Sequence, residues 1–577
     1  MQARLSALVC AAILVVVAPI SSSAQSVTIA WDRNPESFVA GYVVQLGVDP
    51  SRLDWEIDVG SRTSLTLPML PAPTRVYFRV IAYTYAGVRS LPSATVSAVP
   101  AGGGSSGSPM PESWRQWYGI GADGADDDGD GVTNLSEYLG GTSPVIPNQW
   151  FMGEGATGVF QMRLALANPS FDPADVRVRF LDETGPRGEQ VLQVPAMGRR
   201  TLIVNDIPGL ANTALSAVIT STRGGVVAER TMSWGARAGE PMGRAGHTGR
   251  PLGATARSWF FAEGAAGFFD SYFLVANPGT TSASLAVEFN DDAGRVVRRN
   301  YTMAPASRLT IGASAIPELA GRSFSTQITS SVPVSAERAM YFGVQEGLWR
   351  GGHVSAGATA PAAEWFVAEG ATGRFFDTYL LIANTNSATS DVVVRYLTPS
   401  GLAFERRVTL APRSRHTIWV DGEPGLADTA VSMSVTASRP IVVERSMYWS
   451  NDASGWREAH TSAGITRLGQ RWALAEGESG GSQGLETYVL VANPGAASAD
   501  ITVTFLRENA APISLLRQVP GYGRLTVSSG EAGLASGTRF GVLVDSSRPV
   551  AVERSMYWNS RGIVWSAGTN ETGFRLR

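Results

Sequence analysis

Through residues 147–577 the chain alternates apolar and polar positions in short stretches, and turn formers interrupt the pattern at close intervals. Phe376 to Asn384 (FDTYLLIAN) is a strongly apolar run; Asp391 to Leu397 (DVVVRYL) alternates and ends at Thr398-Pro399-Ser400-Gly401. AFERRVTLAP and RHTIWVD follow, then a turn over Gly425 to Ala427, then VSMSVTAS and IVVERSMYW. Alternation rich in β-branched and aromatic residues, bounded by Gly, Pro and Asn, predicts strands. Seven or so short strands predict an immunoglobulin-like sandwich. Long helix-period segments are missing, so the expected fold class is mainly β, built of tandem immunoglobulin-like β-sandwiches.

This pattern is written four times. WFVAEGATG at Trp365 has counterparts at Trp150, Trp259 and Trp472, and VVERSMYW ending at Trp449 recurs at Trp234, Phe342 and Trp558. The glutamate of the first phrase falls at Glu154, Glu263, Glu369 and Glu476, at intervals of 109, 106 and 107 residues. A unit this long is a whole domain, not a solenoid turn or a propeller blade. The repeats are set at 147–256, 257–362, 363–469 and 470–577. They abut with little linker, which predicts a semi-rigid rod, with a closed four-part ring as the lesser alternative. The array resembles the tandem Trp-Phe-x-Ala-Glu-Gly repeats of large secreted bacterial surface proteins. That resemblance implies an extracellular repeat and little about mechanism.

The N-terminal quarter is organised differently. Residues 1–24 read as a secretory leader: Arg4 supplies positive charge, Leu8 to Ile20 the apolar core, and Ser22-Ser23-Ala24 a small-residue cleavage site. The only cysteine, Cys10, lies inside this leader, so residues 25–577 have no thiol or disulfide chemistry. Residues 25–100 resemble a fibronectin type III domain, through Trp31 in VTIAWD, Tyr42 in GYVVQLG, and Leu70-Pro71 followed by Tyr77-Phe78-Arg79-Val80. The resemblance implies a sandwich with a tyrosine corner, and Trp31 and Tyr77 are expected in its core. AGGGSSGSP (101–109) reads as a flexible linker that lets this domain reorient freely.

Residues 110–146 carry the one motif with specific chemistry. Asp126, Asp128 and Asp130 fall at positions one, three and five of a twelve-residue EF-hand loop, with Gly131 at the sharp turn. Val132 offers a carbonyl at seven, Asn134 lies at nine and Glu137 at twelve. A hard cation that takes six to eight oxygens needs carboxylates at this alternating spacing, so the expected cofactor is calcium. Short helices are predicted at 112–118 and 134–139, closed by Gly140 and Pro144. The segment resembles the EF-hand-like, thrombospondin-type-3-like calcium modules of secreted bacterial proteins, which implies a structural ion stiffening the joint to the array.

A net charge of -3 with no basic stretch argues against nucleic-acid binding. No second apolar stretch is long enough for a membrane span. The recurring asparagines Asn168, Asn277, Asn384 and Asn493 read as turn formers. The pairs Glu229-Arg230, Glu337-Arg338, Glu444-Arg445 and Glu553-Arg554 lie in an apolar strand. One charge of each must meet a largely apolar face, where an ion pair is expected, with the AEG glutamate as a candidate partner. Glu369 with Glu444 could pose as a glycosidase pair, but all four repeats retain it. His247, His353 and His460 recur once per repeat, too sparsely for zinc; no Ser-His-Asp set, P-loop or Rossmann glycine pattern occurs.

The expectation is a secreted, non-enzymatic binding, adhesion or structural protein with a cell-surface, protein or glycan partner. A carbohydrate-binding accessory protein is the first alternative, using Trp349 and Trp456 as exposed stacking rings. A hydrolase hidden in the array is the second; it would need one repeat with a unique acid, base or nucleophile.

Overall fold

The computed structural model describes residues 13–16, 26–98 (apart from 37, 48, 49, 52, 54, 69–74 and 86), 110, 114–115, 118–449 and 455–576. The linker at 101–109 lies outside the described residues, as does most of residues 1–24. Within 1–24, Ile13–Val16 is a strand paired antiparallel with Ser26–Trp31.

Each repeat is a two-sheet sandwich of the predicted kind. In the third, Ala362–Val367, Ser390–Thr398 and Gly401–Leu410 form one sheet, and Phe376–Asn384, Ser414–Trp419 and Glu458–Ala463 the other. The two strands predicted at VSMSVTAS and IVVERSMYW are one strand, Ser432–Trp449, whose first half joins the first sheet and second half the other. Repeats two and four repeat this crossing with Phe324–Gln345 and Thr538–Ser560. In repeat one it is broken into Ser216–Arg223 and Val227–Trp234 at Gly224-Gly225. A Cβ on Gly225 would lie 2.7 Å from the Cβ of Ser143 and 3.1 Å from that of Ile146, so the break makes room for the acidic-loop module.

The tryptophan of each first phrase fills its sandwich. Trp150, Trp259, Trp365 and Trp472 are buried, and each indole N–H donates to a backbone carbonyl. The four asparagines are turn formers: each Nδ2 donates to the carbonyl four residues on, at 2.8 or 2.9 Å.

The expected rod is not what forms. One late strand of each repeat, Ala245–Gly249, Leu348–Ala356, Glu458–Ala463 and Ile563–Thr572, packs against its counterparts in the two neighbouring repeats. The first packs on the second and fourth, and the third packs on the same two, so repeat four meets repeat one and the array closes. Backbones approach closely there: a Cβ on Gly351 would lie 2.6 Å from the Arg457 carbonyl oxygen. Each interface is head-to-tail, and such contacts make a ring when the rotation closes.

The N-terminal domain is a sandwich with Ser26–Trp31 and Ser64–Pro68 in one sheet and Val39–Gly47, Trp55–Gly60 and Val76–Thr84 in the other. Trp31 is in the core as expected, but Tyr77 is not. Val76, Phe78 and Val80 face inward, so the alternation turns Tyr77 outward to a half-buried site. Tyr42 is the core tyrosine: it packs edge-on to Trp31 at 5.7 Å, and its hydroxyl accepts from the Asn34 amide at 2.7 Å. Free reorientation is also overturned. Trp55–Gly60 adds in parallel to the edge strand Ile513–Val519 of repeat four, and the Trp55 ring lies 4.7 Å from that of Phe171 in repeat one.

Candidate functional site: an acidic loop and the seams of a ring

The acidic loop is closed by its own backbone. Asp126 accepts from the Gly129 and Gly131 amides at 2.8 and 2.9 Å, and Asp130 accepts from Val132 at 2.8 Å. This folds the loop so that carboxylate oxygens of Asp126, Asp128 and Asp130 lie within 4.8 Å of one another. The helix Asn134–Gly140 follows, capped by Thr133 and ended by left-handed Gly141. It carries Glu137 to a fully buried position beneath the loop. Of the predicted entering helix, Trp114, Arg115 and Tyr118 are helical, and Trp114 packs on Tyr118 and Tyr138 at 4.9 and 5.3 Å.

Four buried oxygens here have no hydrogen-bond partner: Oδ2 of Asp128, Oδ1 of Asn134 and both carboxylate oxygens of Glu137. Burial, then repulsion from neighbouring aspartates, pushes Asp128 up to about 8 and Glu137 up to about 9. Unpartnered buried acceptors of one sign are what a hard cation satisfies, so the donor set fits calcium. Asn134 stands apart from the expected set in one respect: its amide donates to Asp127 at 2.6 Å and to the Ala122 carbonyl at 3.2 Å. The module is tied to repeat one, where the Gly224 amide donates to the Gly141 carbonyl and the Asn148 amide to Asp130.

The Glu-Arg pairs build the seams. Both residues of every pair are buried, and alternation sends them to opposite neighbours. Arg230 bonds Glu337 at 2.8 Å, Arg338 bonds Glu444 at 2.6 Å, Arg445 bonds Glu553 at 2.9 Å, and Arg554 bonds Glu229. Each arginine reaches forward one repeat, and the last returns to the first. All 47 basic residues are arginine, so every buried cation is a guanidinium that stays charged. The AEG glutamates lie in the same seams, and one of them, Glu263, is a second partner of a seam arginine. Glu263 accepts from Arg338 of its own repeat at 2.9 Å, and from Ser446 and Tyr448 of the next at 2.8 and 3.0 Å. Glu369 accepts from Ser555, and Glu476 from Arg163. Glu369 and Glu444 are therefore not brought together as a carboxylate pair; they serve different seams.

The histidines bridge the same seams, His247 to Tyr341, His353 to Tyr448 and His460 to Tyr557, at 3.0, 3.3 and 3.0 Å. Burial, then nearby arginines, holds His247 and His460 well below the usual imidazole range. Burial also lowers His353 to about 4 against the opposing pull of Glu263. At the fourth seam both partners are replaced. Thr569 pairs with Met556 in the register of His460 with Met447, and Ser233 stands where the other repeats have tyrosine. The insert after Trp234 closes this seam instead: Met242 and Gln483 exchange hydrogen bonds, and Trp558 donates to the Gly243 carbonyl at 2.7 Å.

Trp349 and Trp456 are not free platforms. They are half-buried, stacked on Tyr341 and Tyr448 at 4.5 and 4.3 Å, with indole N–H groups on Asp270 and Asp377. Sequence reasoning missed Glu458, where the equivalent positions are Ala245, Gly351 and Ala567. Its buried carboxylate accepts from Gly246 of repeat one and Gly352 of repeat two, at 3.0 and 2.7 Å. It is the odd acid a hidden enzyme would need, but it pins backbone.

No family model matches the sequence, and no curated relative does. Among solved structures, a Thermotoga maritima protein, 1070, is 18% identical over 18% of this chain and 94% of its own, with a TM-score of 0.17. The sixth fibronectin type III domain of human fibronectin type III domain containing protein 3 is 24% identical over 17% of this chain and 91% of its own, TM-score 0.14. An Fn3-like protein from Clostridium thermocellum is 19% identical over 15% and 86%, TM-score 0.13.

Proposed function

We propose that this chain is a secreted, non-enzymatic binding or structural protein whose closed ring is a rigid platform for the fibronectin type III-like domain and a calcium-stiffened joint. The observation that carries the reading is where the recurrent charged residues go. The Glu-Arg pairs and AEG glutamates are spent holding repeats to one another inside buried seams, not gathered in a cleft. The leader-like N-terminus and the lack of cysteine after residue 24 support an extracellular destination. Among the described residues no helix is long and apolar enough to cross a membrane.

Asp126, Asp128, Asp130, the Val132 carbonyl and Glu137 would hold the ion, with Asn134 bracing Asp127 behind them. Calcium would neutralise the buried carboxylates and fix the loop against repeat one. Calorimetric titration of the full chain with calcium tests this. Asp128→Ala with Glu137→Ala should abolish uptake; unchanged affinity would contradict the site. Fractionation of producing cells with and without chelator tests the destination. The processed chain should be outside the cell or on its surface; an unprocessed chain retained inside would contradict it.

A further inference from the structure

One sheet of the N-terminal domain is completed from outside residues 25–100. Among the described residues, Ser26–Trp31 is the middle of three strands, between Ile13–Val16 and Ser64–Pro68. Ile13–Val16 sets Ile13 opposite Trp31 and Val16 opposite Thr28, and it also lies beside Val96–Ala98 of the facing sheet. It belongs to residues 1–24, the segment that the proposed secretion removes. Removal turns Ser26–Trp31 into an edge with one row of backbone N–H and C=O groups unpaired.

The other edges show how this protein treats such rows. Three ring edges have no strand beside them among the described residues, and each carries charge. Arg187 and Glu189 lie in Gly185–Val194, Arg298 and Arg299 in Val296–Met303, and Glu405, Arg406 and Arg407 in Gly401–Leu410. Charged side chains are a common guard of an open edge. The fourth edge, Ile513–Val519, is covered by the N-terminal domain and pairs through the uncharged Ile513, Ser514 and Leu515. Ser26–Trp31 (SVTIAW) has neither charge nor proline, so it belongs with the covered edge.

We propose that in the processed chain this edge pairs antiparallel with the same strand of a second copy. Such self-pairing is a two-fold contact, which closes at a dimer. Residues opposite one another across an antiparallel pair share a face. Ile29 and Trp31 are buried, and Thr28 and Ala30 are half-buried on the outward face. Pairing centred on Ile29 sets Ile29 against its copy and Thr28 against Ala30 of the second copy, with no like charges opposed. The edge is also accessible. The facing sheet runs Trp55–Gly60, Val39–Gly47, Val76–Thr84, Val96–Ala98; its first strand docks on repeat four and its last flanks Ile13–Val16. The vacated edge therefore lies on the far side of the domain from its docking on repeat four. The dimer joins two rings through one continuous sheet. The inference rests on the secreted reading, in which residues 1–24 are removed.

Sedimentation equilibrium of the processed full chain, residues 25–577, tests it. The chain should sediment at twice the monomer mass. Thr28→Lys with Ala30→Lys opposes ammonium groups across the pair and should weaken dimerisation at least tenfold, while the ring melts as before. Register has its own readout, because residues 25–577 contain no cysteine. A mixture of Thr28→Cys and Ala30→Cys chains should form the mixed disulfide faster than either chain cross-links to itself. A monomeric processed chain, a dimer indifferent to the lysines, or equal cross-linking in all three samples would overturn the proposal. The intact mass of the chain from producing cells reads processing separately. Retained residues 1–24 contradict the secreted reading, whereas a monomeric processed chain removes the dimer alone.

Discussion

Replacing Arg445 by methionine removes one link from the ring of ion pairs. Its guanidinium is fully buried and bonds Glu553 of repeat four at 2.9 Å, the His460 Nδ1 at 2.8 Å and the Ser462 hydroxyl at 3.0 Å. Methionine keeps much of the volume, so little of the loss comes from packing. What remains is a buried Glu553 carboxylate held only by the Ala368 amide and the Ser462 hydroxyl, at 2.8 and 3.1 Å. Leaving one partner of a buried pair uncompensated costs about 3–5 kcal/mol. Replacing both by apolar groups is far milder and often neutral. Urea unfolding of Arg445→Met, Glu553→Leu and the double variant, followed by tryptophan fluorescence, measures the coupling directly. Each single variant should unfold at clearly lower urea, and the double variant should recover most of the loss. Single variants within about 0.5 kcal/mol of the parent, or strictly additive losses, would refute the reasoning.

The histidine seams predict an acid-sensitive ring. Folded His353 titrates at about 4, below the ordinary value of 6.5, so the unfolded chain takes up its proton first. Its contribution is present above about pH 6.5 and is lost as pH falls toward about 4. The melting temperature of the parent should fall more steeply across that window than that of His353→Gln; parallel curves would contradict it. Gly225→Ala places a Cβ against Ser143 and Ile146 and should loosen the acidic-loop module from repeat one, by about 1–3 kcal/mol for overpacking. Limited proteolysis should then cut within 110–146 sooner while the ring melts as before; an unchanged cleavage rate would contradict the docking.

The strands were legible because their signals are local. Phe376–Asn384 forms where its apolar run lies, and the helix predicted at 134–139 forms as Asn134–Gly140, with left-handed Gly141 and not Gly140 ending it. Tyr77 was misplaced although period-two alternation with Val76 and Phe78 already assigns it outward. The Glu-Arg pairs announced buried ion pairing, but not its partners: in a tandem array the same contact within a repeat and between neighbours has identical sequence. The closing seam was invisible for a related reason. Loss of histidine at Thr569 and of tyrosine at Ser233 are two departures far apart in the chain, and only ring closure makes them one compensated change. The docking of Trp55–Gly60 on Ile513–Val519 joins two ordinary edge strands and leaves no local mark.

Small-angle X-ray scattering of the full chain tests closure most directly. A compact chain of this length has a radius of gyration of about 25 Å, whereas four sandwiches of about 34 Å diameter set end to end give a rod of about 40 Å. The closed ring predicts a value near the first. A value near the second, with a maximum dimension well beyond about 120 Å, would contradict the ring and with it the cyclic chain of ion pairs.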